Sequence, residues 1–365
     1  MFDLSAVLKE AVARGASDVH FKAGSPPIFR IATKLVTHAH PPLSPDETEA
    51  AARSIVNKAQ WASFLSGSEL DVAHLDPAAG RFRTSIFRQR GMVGLVMRHV
   101  KVSVPCFRDL GLPPIIEKIS LAARGIIIVS GATGSGKSTT LAAMINYVNA
   151  RVRRHIVTIE DPIEFIHGDD KSVIEQREVG IDTRSFPSAL RHVMRQDPDI
   201  IMVGEMRDKE SFMAVMTAAD VGRLSLATLH SPDAAQVILR IMDFFPSSER
   251  EQARLQLAAN LVAIVCQRLV PRADEKGATP AVEIMLGTPT IKKLIRENRV
   301  EKLPAAIQGG RDQGMQTFNQ ALVALVKSAV ITEETALSHS PSPESLKMNL
   351  QGIYLDESSQ ILGDD

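Results

Sequence analysis

The sequence predicts an α/β protein of two domains, a small N-terminal one with an antiparallel sheet and a larger one with a mainly parallel sheet. Three observations predict it. Apolar runs at residues 126–129, 156–159, 200–203 and 224–229 are continuous and separated by helical stretches, as strands covered on both faces require. Residues 81–88, Arg-Phe-Arg-Thr-Ser-Ile-Phe-Arg, instead alternate basic or polar with apolar residues, the mark of a half-buried strand. Between the first apolar run and a helical run at 138–149 stands Gly131-Ala-Thr-Gly-Ser-Gly-Lys-Ser138.

That stretch has the spacing G-x4-G-K-S in a strand-loop-helix setting, which is the phosphate loop. Its glycines let successive N–H groups curl toward one anion, and the helix N-terminus adds its dipole at the same point. Gly131, Ala132, Thr133, Gly134, Ser135, Gly136, Lys137, Ser138 and Thr139 are therefore the candidate nucleotide-binding residues, for ATP with Mg²⁺. Lys137 would reach the β- and γ-phosphates, and the Ser138 hydroxyl would hold the metal.

The bulk properties set bounds. A chain of 365 residues is long enough for two cores. Lys plus Arg equals Asp plus Glu, 42 each, so the formal net charge is zero, and aromatic residues make up 4%. Both speak against a chain devoted to nucleic acid, which needs a basic, aromatic-studded channel. Two cysteines, Cys106 and Cys266, allow neither a metal spacing nor a disulfide framework, which fits a reducing, cytoplasmic setting. No apolar run reaches 18 residues and the N-terminus lacks a signal-peptide pattern, so membrane association is expected through partners or surface contact.

Taken in order, residues 3–14 carry a helical face ended by Gly15, and 18–21 form a short strand. Pro26-Pro27 turns the chain into a strand at 28–36, and Pro41-Pro-Leu-Ser-Pro45 leads into a helix at 46–57. Residues 91–100 pair with 81–88. The domain boundaries are 1–104, a linker at 105–120 marked by Gly111-Leu-Pro-Pro114, the second domain at 121–340 and a polar tail at 341–365, mobile from Asp356. A helix opens at Pro246, with Ser248 and Glu251 spaced as a capping box. Its face is marked by Leu255, Ala258, Leu261, Val262, Val265 and Leu269. Helices at 290–297 and 317–330 follow.

Ligands of parallel sheets bind at the strands' carboxyl ends, and three more groups fall there. Thr158-Ile-Glu-Asp-Pro-Ile-Glu-Phe165 projects Glu160, Asp161 and Glu164 from a proline-stiffened turn, suited to Mg²⁺ through water or to orienting the attacking water. Residues 197–208 are an apolar strand ending in Glu205, with Gly204 where many phosphate-loop enzymes carry an aspartate. Residues 224–230 end in His230.

Together these stretches resemble the type IV pilus retraction ATPases, the PilT and PilU proteins of the secretion-ATPase superfamily. The resemblance covers nearly the whole chain and includes Gly15-Ala-Ser-Asp-Val-His20, Gly80-Arg-Phe-Arg83, Gln176-Arg-Glu-Val179 and Gly287-Thr-Pro-Thr-Ile-Lys-Lys-Leu-Ile-Arg-Glu297. It implies a PAS-like N-terminal α+β domain, a RecA-like domain with a helical C-terminal extension, ATP held between the two, and a homo-hexamer. It implies a motor at the inner-membrane base of a type IV pilus that hydrolyses ATP to drive retraction and twitching motility, touching a platform protein and a paralogous ATPase. Residue by residue, it makes Glu160 and Glu164 the acidic box with Glu164 the general base, Glu205 the Walker B carboxylate and His230 the end of the histidine box. Arg83 and Arg98 are the candidates to reach phosphate from the N-terminal domain. Two positions depart from the family pattern. Arg223 stands where a first box histidine is frequent, and the turn Arg30-Ile-Ala-Thr33 lacks the family's glycine. The alternatives are a PilU-like accessory ATPase, a nucleotide-binding scaffold that depends on a partner motor, and a RecA-like nucleic-acid translocase.

Overall fold

The computed structural model describes residues 2–31, 34–100 and 104–353. The chain divides into two compact units, Met1–Val102 with Glu164–Ile166, and Ser103–Ile163 with His167–Asp365.

The first unit runs α1 (Leu4–Ala13), β1 (Asp18–Lys22), β2 (Ile28–Ile31), β3 (Lys34–Thr37), α2 (Pro45–Ser54), α3 (Lys58–Leu65), β4 (Leu70–Asp76), β5 (Gly80–Gln89) and β6 (Met92–His99). Its six strands form one antiparallel sheet in the order β3-β2-β1-β6-β5-β4. The alternation in β5 works as read: Phe82, Thr84 and Ile86 are buried while Arg83 is exposed. Phe82 and Ile86 pack with Leu8, Phe21, Phe29, Phe64 and Leu95. Two details differ from the sequence reading. The strand expected at 28–36 is a hairpin, β2 and β3, whose tip (Ala32, Thr33) lies outside the described residues. The helix expected at 46–57 is α2, ending at Ser54, and a second helix that the sequence reading did not assign, α3, follows it; each is started by its own capping box, at Ser44 with Glu47 and at Asn57 with Gln60.

The second unit begins with α4 (Ile115–Ser120), β7 (Gly125–Ser130), α5 (Lys137–Asn149), β8 (His155–Glu160), β9 (Val173–Glu178), α6 (Phe186–Val193), β10 (Ile200–Val203), α7 (Lys209–Asp220), β11 (Leu224–Leu229), α8 (Ala234–Asp243) and α9 (Arg250–Asn260). It continues with β12 (Leu261–Pro271), β13 (Ala278–Leu286), α10 (Pro289–Arg296), α11 (Leu303–Gly309), α12 (Phe318–Lys327), α13 (Glu333–His339) and α14 (Pro343–Leu350). The sheet order is β13-β12-β7-β11-β10-β8-β9, parallel except for the β12–β13 hairpin.

The continuous apolar runs are explained by cover on both faces. From β7, Ile126 and Ile128 join one core with residues of α6 to α10, while Ile127 and Val129 join a second with Ile116 of α4 and Leu141, Met144 and Val148 of α5. Residues 105–120 take part in that second core through Phe107, Leu112, Ile116 and Ile119. Near the C-terminus Ala336 of α13 and Leu346 of α14 are buried in the first. Residues 356–365, read as a mobile tail, lie outside the described residues.

The helix expected to run through Leu269 stops at Asn260, and Leu261, Val262, Val265 and Leu269 belong to β12. The β-branched run that follows Asn260 finds strand partners on both sides, and that pairing overrides a helical spacing that happened to match. The expected Ser248/Glu251 capping box is absent; the helix is capped at Glu249 without a side-chain bond.

Truncating Ile128, wholly buried in the interior strand β7, is expected to cost about 3 kcal/mol. Denaturant unfolding of Ile128→Ala against wild type measures it.

Candidate functional site

Parallel pairing puts the carboxyl ends of β7, β8, β10 and β11 on one edge of the sheet. The loop after β7 is the glycine-rich stretch. Gly131 and Gly136 have φ of 147° and 89°, in the region that favours glycine. A Cβ on Gly131 would lie 2.3 Å from the Gln267 carbonyl oxygen, which leaves no room for a side chain there, and one on Gly136 would lie 2.7 Å from Gln267 Nε2 and force that side chain to move. Lys137 opens α5, is buried, and donates from Nζ to the carbonyls of Gly131 at 2.9 Å and Ala132 at 3.0 Å. The Ser135 hydroxyl is buried without a hydrogen-bond partner, an orphan polar atom inside the loop that suits an incoming anion oxygen. These features fit a phosphate group. Ser138 is half-buried one residue into the helix, as a metal-holding hydroxyl would have to be.

β8 ends in Glu160, which is buried. Its Oε1 accepts from Thr158 Oγ1 at 2.7 Å and from Gln176 Nε2 at 3.1 Å. Gln176 Oε1 in turn accepts from the His167 N–H at 2.8 Å, and Glu178 accepts from the Ile163 N–H at 3.1 Å. The β9 residues of the Gln176-Arg-Glu-Val179 stretch thus brace the acidic turn. Asp161 and Glu164 are exposed, and Glu164 is grouped with the first unit.

β10 and β8 run side by side to the point where the Gly204 N–H donates to the Ile159 carbonyl at 2.8 Å. A Cβ on residue 204 would stand 3.3 Å from that carbonyl and 3.4 Å from Glu160 Cα. A side chain there would need its neighbours to give by a few tenths of an ångström. The Gly204 carbonyl accepts from the Thr228 hydroxyl, and the Met206 N–H donates to the Thr228 carbonyl at 3.0 Å, which ties the Glu205 segment to β11. Glu205 Oε2 accepts from Arg207 Nε at 2.7 Å, and Oε1 lies 3.2 Å from His230 Nε2. The Glu205 hydrogen bond holds Arg207 above its usual pKa. Glu205, Arg207, Leu229 and His230 line a cleft of about 380 Å³. The Ser130 hydroxyl accepts from the Ser231 N–H at 2.9 Å and lies 3.2 Å from the Leu229 carbonyl, so the His230 segment is fixed to the root of the phosphate loop.

The second unit therefore gathers the loop, Glu160, Glu205 and His230 on one edge. Arg83 and Arg98 belong to the first unit, directly opposite each other on β5 and β6. Arg98 Nε donates to Asp18 at 2.8 Å. Burial raises the Asp18 pKa, but hydrogen bonds from Ser17 and Arg98 outweigh it and leave the carboxyl below the usual range.

Arg223 lies at the opposite end of β11 from His230. Its carbonyl accepts from the Gly125 N–H at 3.0 Å and its guanidinium binds Asp197 at 2.7 Å. Six residues of strand, Leu224–Leu229, separate it from His230, roughly 20 Å. Its replacement of a box histidine is thus remote from the carboxyl edge.

Sequence reasoning assigned no role to Arg207, Gln176, Glu178, Thr228 or Gln267. The available signal was polarity inside an apolar strand, clearest for Gln267 in β12, where burial demands a hydrogen-bond partner.

Glu283 of β13 is a further buried carboxyl. Its Oε1 accepts from the Ala234 N–H at 2.8 Å and so anchors the start of α8, four residues beyond His230. Burial, with the Asp233 charge adding to it, pushes its pKa to about 7. A carboxyl raised in the folded state stabilises fully below its unfolded pKa, and that stability is lost as pH rises through the folded value. Wild-type stability is expected to fall by on the order of 2 kcal/mol between pH 4.5 and 7 through this group. Denaturant melts across that window should show a flatter profile for Glu283→Gln.

A family model described as Type II/IV secretion system protein matches residues 2–340. The chain is 41% identical over 345 residues to the type IV pilus ATPase PilU of Pseudomonas aeruginosa, covering 94% of this chain and 90% of that protein. It is 40% identical over 343 residues to the type IV pilus retractation ATPase PilT of the same organism, covering 94% and 99%. Among solved structures, the pilus retraction motor PilT with bound ADP matches with a TM-score of 0.89 at 40% identity, covering 95% of this chain and 99% of that one.

Proposed function

The chain belongs to the type II/IV secretion system protein family, and on that premise we propose that it is an ATP-hydrolysing motor that drives type IV pilus retraction, and with it twitching motility. The observation that carries this reading is Glu205, pinned between Arg207 and His230 on the edge that also bears the phosphate loop.

The chemistry follows from the groups present. Gly131 to Thr139 bind the phosphates of ATP, with the Lys137 ammonium turning from loop carbonyls to phosphate oxygens. Ser138, and Glu160 through water, would hold Mg²⁺, which supplies charge neutralisation when bound. Arg207 and His230 fix the Glu205 carboxylate so that it orients the attacking water, and Glu164 is the candidate general base. Arg83 and Arg98 are proposed to reach phosphate from the N-terminal unit, in part across a subunit boundary. Such an arginine stabilises charge only when an interface closes, which couples hydrolysis to movement. The active form is then a homo-hexamer on the cytoplasmic side of the inner membrane, working on the pilus platform protein. No helix among the described residues is long and apolar enough to cross a membrane.

Identities of 41% to PilU and 40% to PilT favour neither paralogue, so a PilU-like role beside a partner ATPase is the second reading. A non-hydrolysing scaffold loses its main argument, since Arg223 stands far from the carboxyl edge. The zero net charge and 4% aromatic content still speak against a nucleic-acid translocase.

Complementation tests the proposal. Cells lacking the chain are expected to keep surface pili but lose twitching, wild type to restore it and Glu205→Gln to fail despite normal abundance. Full twitching with Glu205→Gln would contradict an ATP-driven role for this chain.

A further inference from the structure

Gln267 lies on β12, one residue past the point where Cys266 pairs with Ser130, which sets it level with Gly131. Its side chain is buried and both ends of its amide are used. Oε1 accepts from Thr140 Oγ1 at 2.8 Å, and Nε2 donates to the Ser135 carbonyl at 2.7 Å. Its own backbone oxygen is the backbone atom that leaves no room for a side chain at Gly131, and its Nε2 abuts Gly136. One residue thus bounds the loop at its entry, at Ser135 and at the first turn of α5. The next residue anchors β12 elsewhere: Arg268 donates to the His339 carbonyl at 3.1 Å and lies over the Phe318 ring at 4.2 Å.

We propose that Gln267 is a positioning residue for the nucleotide's phosphates, acting through the loop and not touching them. The inference rests on the reading of 131–138 as a phosphate loop. In a trans peptide the N–H points opposite to the C=O. Drawing the Ser135 carbonyl toward β12 therefore aims the Gly136 N–H away from β12, at the anion. The bond from Thr140 holds the first turn of α5 in the same frame, so the helix N-terminus keeps its direction. Orienting the loop before binding removes an ordering cost that the nucleotide would otherwise meet.

The test measures binding of Mg·ADP and the KM and kcat for ATP in the full chain. Gln267→Met keeps the length of the side chain and removes both bonds. It is expected to raise the ADP Kd and the ATP KM about tenfold, with a smaller change in kcat and a near-native melting curve. Gln267→Glu keeps the acceptor for Thr140 and loses the donor to Ser135. Its affinity is expected to recover relative to Gln267→Met as pH falls from about 8 to about 5.5, because a protonated carboxyl donates again. A merely space-filling role would give no such recovery. A folded Gln267→Met that binds ADP within about twofold of wild type overturns the proposal, as does a Gln267→Glu variant that tracks it at every pH. Should Gln267→Met fail to fold, Thr140→Val carries the test, with about a threefold loss expected and unchanged affinity overturning it. Lys137→Ala separates the two readings: ADP binding equal to wild type in that variant sinks the phosphate-loop premise itself.

Discussion

The parallel ladder of β8, β10, β11, β7 and β12 is the constraint on which the candidate site depends. It sets Glu160 and Gly204 level with Thr228, and His230 level with Gly131 two residues further along, although they come from four separate stretches of chain. The ladder is stable because every strand in its middle is covered on both faces, with two cores sharing the alternate residues of β7. Close approach of the strand ends then dictates the small residues. The carbonyl of Gln267 leaves no room for a side chain at Gly131, and the Ile159 carbonyl and the Glu160 backbone crowd Gly204.

Within that frame the polar groups are placed by neighbours and not by their own flexibility. Glu205 is held at both oxygens, Glu160 is held by Thr158 and Gln176, and the His230 segment is tied to Ser130. A carboxylate aimed in advance needs no reorganisation when charge develops, which is how such sites contribute to rate. Glu283 extends the same logic to the start of α8, at the cost of a buried carboxyl that titrates near neutrality.

The parts of this arrangement legible in the sequence were those with local signatures. The buried strands announced themselves by apolar continuity, and the phosphate loop by glycine spacing between a strand and a helix. What depended on distant partners was hidden. β12 matched a helical spacing at Leu255, Ala258, Leu261, Val262, Val265 and Leu269, and only pairing with β7 and β13 made it a strand. The Gln267 amide meets atoms 127 and 132 residues away, so no window of sequence contains the interaction. Arg223 shows the same limit from another side. The resemblance groups its position with His230 in one histidine box, yet an extended strand carries the two to opposite ends of β11.

The most direct test of ATP hydrolysis at this edge is Mg-dependent ATP turnover by the purified chain and its Glu205→Gln variant, read alongside mass in solution. The account predicts a hexamer whose turnover falls by about 100-fold or more in the variant while ADP binding survives. Wild-type protein that binds nucleotide but turns it over no faster than the variant would contradict it, and would make the chain a subunit that works only through another ATPase.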